Sequence, residues 1–502
     1  MTARGAQRLW SRPSAARPGR GPATFSGITT IIAVAMLVAA CGGAAVTPSQ
    51  SQSQSPSPAP GTASPAVGSA SPSATQTVPP APVLTPAPGQ EFAIAMGLAK
   101  PASPAASADS VSGAINDFGL DLLRRMDSRG NLCASPTSIA LALGMLRPGA
   151  RGITATEMDE VLHSFGAPGQ APEIQALLKS LLSQTFYDDT NFYSEDPQAT
   201  PDHTGRTLDQ ILTLGDQVFS QPGMNLEPAF LDSLSSAYGA GMGLLDFKKD
   251  PEAARKVINK WVSDNTNGRI PEILQSGDLT TRTRIALANA IYFKGAWTHA
   301  FDPKETKPLP FTTDAGAKVS VPTMAIETIL PYSAGSGYRA VDLGFGGQGS
   351  LSMLIVVPDN MKSFVTGLTA SKFESIVRGE EQYIVTLALP RFSAETRLDL
   401  ADTLKAMGMT SAFSDTADFS GITKDEHLAI ARVIHQANID VVEEGTTAAA
   451  ATVVIGKATG GPGPDYPLTT LQVNKPFLYF IRDATSGAIL FMGLINDPSL
   501  KS

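Results

Sequence analysis

The residues able to do covalent chemistry are few and badly spaced for it. The five histidines, His163, His203, His299, His427 and His435, fall at no metal-ligand spacing, and the only cysteines are Cys41 and Cys133. No G-x-S-x-G elbow, phosphate-cradling Walker loop or H-E-x-x-H pair occurs. No catalytic residue, metal or cofactor is therefore expected, and a chain of this kind acts by binding. His435 lies inside an apolar strand pattern and reads as a satisfied core histidine. Cys133, between Leu132 and Ala134, reads as a small buried hydrophobe.

The most unusual segment is EEGTTAAAATVVIGKATGGPGPDYP, residues 443–467. Its window Ala450 to Ile455 combines high β propensity with zero charge, the composition of a strand that adds itself to an open sheet. Propensity alone leaves a second reading open, because Ala448 to Ala451 would also suit a helix. As a strand, Thr446, Ala448, Ala450, Thr452 and Val454 share one face, and none is charged or bulky. Gly445 can take a new backbone direction, and Glu443 and Glu444 stay at the boundary.

The elements that must position this segment follow from periodicity. Helical spacing appears over 110–127, 137–146, 251–266 and 399–408, and Thr154 with Glu157 offers a capping box for a helix ending near Gly166. Strand patterns run over 351–359, 383–390, 433–442, 476–483 and 488–495, the last two flanking the hairpin signal ATSG. Early helices and late strands predict an α+β domain over 107–502. Residues 187–206 read as an acidic polar loop rather than a calcium site.

Ahead of that domain, residues 1–40 hold five arginines and then an apolar run from about Ile28 to Ala40, which reads as a secretory signal. VAAC at 38–41 resembles a bacterial lipobox in which Cys41 becomes the lipidated first residue; an uncleaved anchor helix is the alternative. Residues 41–106 carry little that could build a core, and the Ser-, Pro- and Ala-rich stretch from Gly42 to Gln90 has no charged residue and no aromatic, so it reads as a disordered tether. An extracytoplasmic place follows, with any membrane contact made only through the lipid anchor. Losing residues 1–40 removes five arginines and no acid, taking the formal charge from −8 to −13. That excludes nucleic acid, whose recognition needs clustered positive charge.

Several motifs, in order and spacing, resemble the serpins: NLCASPTSIALALGMLRPGARGITATEM (131–158), LANAIYFKGAWTHAF (287–301), LPRFSAE (389–395), DFSGIT (418–423), HQANIDVVEEGTTAAAAT (435–452) and NKPFLYFIRDATSGAILFMGLINDP (474–498). The resemblance implies helices packed on three β-sheets with an exposed reactive-centre loop, in a monomer. It implies irreversible inhibition of extracellular serine proteases: the loop starts outside the central sheet, is cut, and inserts as a new strand of about 15 residues, some 50 Å long. A non-inhibitory binding module and an enzyme on an unrelated fold are the competing readings.

Residue by residue, the resemblance makes Glu443, Glu444, Gly445, Thr446, Thr447, Ala448, Ala449, Ala450 and Ala451 the hinge. Ser135, Ser138, Asn289 and His435 match a polar cluster under the central strands, and Trp297 and Arg391, the latter with Glu443, match the place where the loop first enters the sheet. The segment beyond the hinge is longer than in many serpins and rich in glycine and proline. Counting about seventeen residues from Glu443, as the resemblance implies, puts the reactive bond at Thr459–Gly460, suiting elastase-like or subtilisin-like proteases. Lys457–Ala458 would suit a trypsin-like one.

Overall fold

The computed structural model describes residues 106–126, 129–182, 186–187, 208–240, 242–346, 350–446 and 465–500. The leader and the tether up to residue 105, the acidic loop from 188, the hinge beyond Thr446 and both candidate reactive bonds lie outside these residues.

Nine helices and sixteen strands occur among them. The N-terminal half begins with α1 (Asp109–Leu123), β1 (Leu132–Ala134), α2 (Pro136–Leu146), α3 (Gly152–Val161), α4 (Ala171–Leu182) and β2 (Phe186–Tyr187). It continues through β3 (Leu208–Ser220), α5 (Pro228–Ser233), β4 (Met242–Leu244), α6 (Pro251–Asn265) and β5 (Ile285–Ala296). Strands then dominate: β6 (Lys307–Thr312), β7 (Lys318–Gly335), β8 (Tyr338–Gly344) and β9 (Leu351–Pro358), followed by α7 (Met361–Thr366) and α8 (Ala370–Arg378). The chain ends with β10 (Glu381–Pro390), β11 (Phe392–Asp399), α9 (Ala401–Met407), β12 (Ile434–Val442), β13 (Gly445–Thr446), β14 (Leu468–Gln472), β15 (Phe477–Asp483) and β16 (Ile489–Ile495). Every helix and strand predicted by periodicity is present within a few residues.

The larger sheet runs β1-β16-β15-β9-β8-β7-β10-β14, with β6 also paired to β7. Two of the three expected sheets hydrogen-bond as one because the 18-residue β7 serves both: its first part pairs β6, its last part β8, and its opposite edge β10. Strands β9, β15 and β16 are buried at every residue, which is why their sequences are unbroken apolar runs rather than alternating ones. Helix α1 covers β16 with Ile115, Phe118 and Leu122, all buried. Each such side chain contributes about 1.5–3 kcal/mol of burial.

The smaller sheet runs β11-β12-β13-β5-β3-β2, with β4 beside β3. Helix α6 starts at an Asp250 cap that accepts from Ala253 N at 2.9 Å and packs Ile258 and Val262 against Phe219 of β3 and Ala288 of β5. Helix α2 begins on Pro136, capped by Ser135, and lies beneath the same sheet.

One local expectation fails. Thr154 and Glu157 form no capping box: Thr154 lies inside α3, which starts at Gly152 after Arg151, and ends at Val161 rather than near Gly166. Glu157 instead accepts from the backbone and hydroxyls of Thr410 and Ser411, and Thr154 Oγ1 accepts from Asp418 N at 2.9 Å. The motif is local, but its partners arrive from some 250 residues away.

Candidate functional site

The site lies where the smaller sheet is interrupted. Strands β5 and β12 share no ladder among the described residues and are joined only by the two residues of β13. Thr446 stands opposite Val441 on β12 and Gly295 on β5, both antiparallel. Going six positions down each strand brings His435 level with Asn289 across the gap.

Gly445 makes the turn into the gap. Its φ is +147°, and a Cβ there would lie 2.0 Å from Gly295 O, so neither the backbone conformation nor the space admits a side chain. Trp297 N donates to Glu444 O at 3.0 Å, Phe301 N to Glu443 O at 3.0 Å, and the Trp297 indole Nε1 to Val442 O at 2.9 Å. Trp297 is itself stacked on Phe345 at 4.5 Å. Gly295 N donates to Thr446 Oγ1 at 3.1 Å, and Thr446 is buried.

The first hinge residues, Gly445 and Thr446, already occupy the sheet, held by these backbone bonds; the loop beyond them lies outside the described residues. One expectation is corrected here, that for Glu443: it does not stay at the boundary, being 1% exposed. Its Oε1 accepts from Thr306 Oγ1 and from Arg391 Nε at 2.8 Å and Nη2 at 2.7 Å. Burial pushes this carboxyl up, but the hydrogen bonds from Thr306 and Arg391 and the Arg391 charge outweigh it and hold it below the ordinary range.

Below Thr446 the gap widens into two cavities. A small one, about 20 Å³, lies between Ile291–Phe293 of β5 and Asn438–Asp440 of β12. A larger one, about 510 Å³, lies between Ile285–Asn289 and Ile434–His435, floored by α2 through Ser138, Ile139 and Leu143.

The predicted polar cluster is assembled at that level. His435 Nε2 accepts from Ser135 N at 3.0 Å, Ser135 Oγ caps α2 by accepting from Ser138 N at 3.1 Å, and Ser138 Oγ bonds Asn289 Oδ1. The start of α2 is thus tied to both edges of the gap, to β12 through His435 and to β5 through Asn289. Burial lowers the His435 pKa to about 4, so the imidazole is neutral and free to accept. Cys133 is buried, as expected, and burial pushes its thiol up to about 12.

The base of the gap carries a feature that sequence reading missed. Asp278, in the link from α6 to β5, pairs with Arg397 of β11 at 3.0 Å and with Arg432 just before β12. Thr306 was missed as well. Neither carries a local signal, whereas Gly295 lies inside the YFKGAW stretch that the family resemblance had marked.

The described residues thus form a sheet whose strands β5 and β12 are bridged only by Gly445 and Thr446. Residues 113–498 match the serpin (serine protease inhibitor) family, and the chain belongs to it. It is 34% identical over 408 residues to the bovine (Bos taurus) leukocyte elastase inhibitor, 78% of this chain and all of that one. An uncharacterised serpin-like protein of Thermococcus kodakarensis is 35% identical over 392 residues, 77% of this chain and 86% of that one. Among solved structures, the native state of the thermophilic serpin tengpin superposes with a TM-score of 0.68 at 24% identity, over 81% of this chain and all of that one. Native protease nexin-1 with heparin superposes at 0.62 and 27% identity, over 78% of this chain and all of that one.

Proposed function

We propose that this chain is an irreversible suicide-substrate inhibitor of extracellular serine proteases. The observation that carries the reading is β13: the hinge is already one rung into a gap whose two walls are in register to receive more. A protease cuts the loop beyond the hinge and becomes acylated on it. Released at its far end, the hinge strand continues down the gap. From the observed register, Ala448 reaches the level of Phe293, Ala450 that of Ile291, Thr452 that of Asn289 and His435, and Gly456 that of Ile285, where β5 begins. All are small or β-branched, as a strand buried between two others requires.

Ten further residues, 447–456, each donating and accepting one bond between the two walls, form about twenty ladder bonds at roughly 0.5–1.5 kcal/mol each, on the order of 10 kcal/mol or more in all. That is comparable to the stability of a whole domain, so the uncut fold is metastable. Ten new strand positions at about 3.3 Å carry the protease roughly 33 Å, and loss of its active-site geometry stops deacylation. The bonds Lys457–Ala458 and Thr459–Gly460 both lie just past Gly456, so a cut at either releases enough chain to fill the gap.

The elastase inhibitors among the relatives support elastase-like targets and with them a small residue such as Thr459 at the cut. Incubation with elastase-, subtilisin- and trypsin-like proteases, a denaturing gel and the mass of the released peptide test the reading. A complex surviving denaturation, with a peptide beginning at Gly460 or Ala458, supports it; cleavage without complex for every protease sinks it in favour of a non-inhibitory binding module. We assign the domain to 107–502, and residues 1–40 and 41–106 to a signal and tether that place it outside the cytoplasm through a lipid on Cys41. Cys41→Ser then abolishes lipid labelling and releases the protein into the medium.

A further inference from the structure

The ion cluster at the base of the gap has no part in the mechanism so far. It belongs to the link between α6 and β5, residues 266–284, which leaves a helix packed on β3 and β5, crosses to the opposite wall and returns. On β12, Asn438 Nδ2 donates to Arg269 O at 3.2 Å, and Arg269 Nη1 donates to Asp440 at 3.0 Å. On β11, Arg397 Nε donates to Ile273 O at 3.2 Å and Nη2 to Asp278 Oδ2 at 3.0 Å. Arg432, just before β12, donates through Nη1 to the other oxygen of Asp278 and is held in turn by Asp399 at 2.8 Å.

These ties differ in strength. Arg269 and Asp440 are 39% and 41% exposed, and such a pair is worth little. The Asp278 side chain is 7% exposed and carries two guanidinium groups as well as the amide of Gln275, so parting it from them strands a buried charge. Both Asp278 and Arg432 line the larger cavity, the one an entering strand has to fill. Continuing the register of β13 brings Ile455 level with Arg432 and Ala286. Arg432 stands at even counts from Asn438 and Asp440, on the face that the link covers, and Ile455, at an odd count from Thr446, turns its side chain to that same face. The outward residues ahead of it, Thr447, Ala449, Ala451 and Val453, are all smaller. The bulkiest of the set therefore arrives where Arg432 reaches across to Asp278.

We propose that Asp278 is a positioning residue for loop insertion: with Arg397 and Arg432 it clasps the foot of the gap, and the last rungs of the inserted strand form only after the clasp has let go. The inference rests on the inhibitory reading above. The clasp touches neither the protease nor the reactive bond; it sets how fast a strand already started can finish, and so how well the uncut form resists completing the sheet by itself.

The test is the rate at which a synthetic peptide of residues 447–456 enters the uncut full chain, followed on native gels and by the gain in melting temperature. Asp278→Asn, which keeps the shape and removes the charge, and Arg432→Gln are each expected to take up the peptide about tenfold faster than the parent, and Asp278→Glu to return most of the way to the parental rate. Salt at about 1 M, where the screening length is about 3 Å, is expected to speed the parent and leave Asp278→Asn unchanged. A peptide with Ile455→Ala is expected to enter the parent faster and to gain nothing further from Asp278→Asn, because bulk and clasp are two halves of one obstacle. Faster entry with neither the salt dependence nor this non-additivity assigns Asp278 to folding alone and overturns the proposal. Entry at the parental rate in both Asp278→Asn and Arg432→Gln also overturns it and leaves the inhibitory reading standing; should Asp278→Asn not fold, Arg432→Gln decides. If the peptide enters neither the parent nor any variant, the gap takes up no strand, and the inhibitory reading fails together with the clasp.

Discussion

The two sheets are built from strands of similar composition, yet they differ in completeness. In the larger sheet the central strands are paired along their length, and the middle ones, β9 and β15, are buried on both faces. In the smaller one, β5 and β12 are just as regular, but among the described residues only the two of β13 join them. One sheet is closed; the other, on the insertion proposed above, has about ten rungs still to gain. The difference teaches that an incomplete sheet can hold free energy in reserve as long as the strand that would complete it is tethered at both ends.

Cutting that tether is the strongest test of the contrast. Cleavage within 457–460 is expected to raise the melting temperature by at least about 10 °C, given roughly 10 kcal/mol of new strand and a shift of one to a few degrees per kcal/mol in a domain this large. Calorimetry on intact and nicked protein checks it, and equal transitions would show that nothing was held in reserve.

Side chains that cannot enter the gap come next. Thr446→Arg places a cation where the present residue is 1% exposed, and burying it unpaired costs several kcal/mol. Gly445→Val meets Gly295 O and a left-handed backbone, at about 3 kcal/mol or more. Both variants are expected to fold, to be cut at the parental rate and to form no gel-stable complex. In the closed sheet the matching substitution is mild: Gly487→Ala, in the β15–β16 turn with φ +73° and open space around it, costs only about 1 kcal/mol and leaves inhibition intact.

Acidity acts oppositely on the two sheets. His435 titrates at about 4 in the fold against an ordinary value near 6.5. The unfolded chain therefore binds the extra proton between those values, and stability falls as pH drops from about 6.5 to 4, by roughly 3 kcal/mol at most. In the larger sheet, burial and the neighbouring Asp342 raise Glu380 to about 7 although Arg482 opposes them. There the folded state binds the extra proton, so stability falls as pH rises from about 4.5 to 7. Urea melts of His435→Gln and Glu380→Gln across pH 4 to 8 should each lose one limb of the profile; a parental profile in either variant refutes that assignment.

The smallest expected effect is at the mouth of the gap. Arg391→Ala removes the charged partner of buried Glu443, but Arg391 is 43% exposed and Thr306 remains, so about 1–2 kcal/mol is lost. Because Glu443 is held below the ordinary carboxylate range, the stability it brings is present at neutral pH and lost on acidification, and Arg391→Ala should shrink that loss. An unaltered acid limb in urea melts would show that the pair is not coupled to folding.

Much of this was legible in the sequence because the signals were local. The 2-residue alternation of HQANIDVV is the observed alternation of burial in β12, and the helix expected over 137–146 is α2. The polar cluster and the Trp297 and Arg391 contacts were named in advance through the family motifs. What escaped was long-range. Glu443 seemed a boundary charge because nothing nearby in sequence shows Thr306 or the depth of the site, and Asp278 meets its arginines only after the sheet has formed. Thr154 and Glu157 misled for the same reason: a spacing that suits a cap was used to hold a segment from elsewhere.

The register of β13 has a consequence for how the loop can vary. On the insertion proposed above, side chains alternate between faces, so residues separated from Thr446 by an even count would enter the interior and those at odd counts would stay outside. Removing one residue between Thr446 and the cut reverses the parity of everything beyond it, turning Lys457 from the outer to the inner set. Removing two preserves parity and only shortens the travel. On that reading the residues at the cut are free to follow new targets, while the length leading to it is held to steps of two.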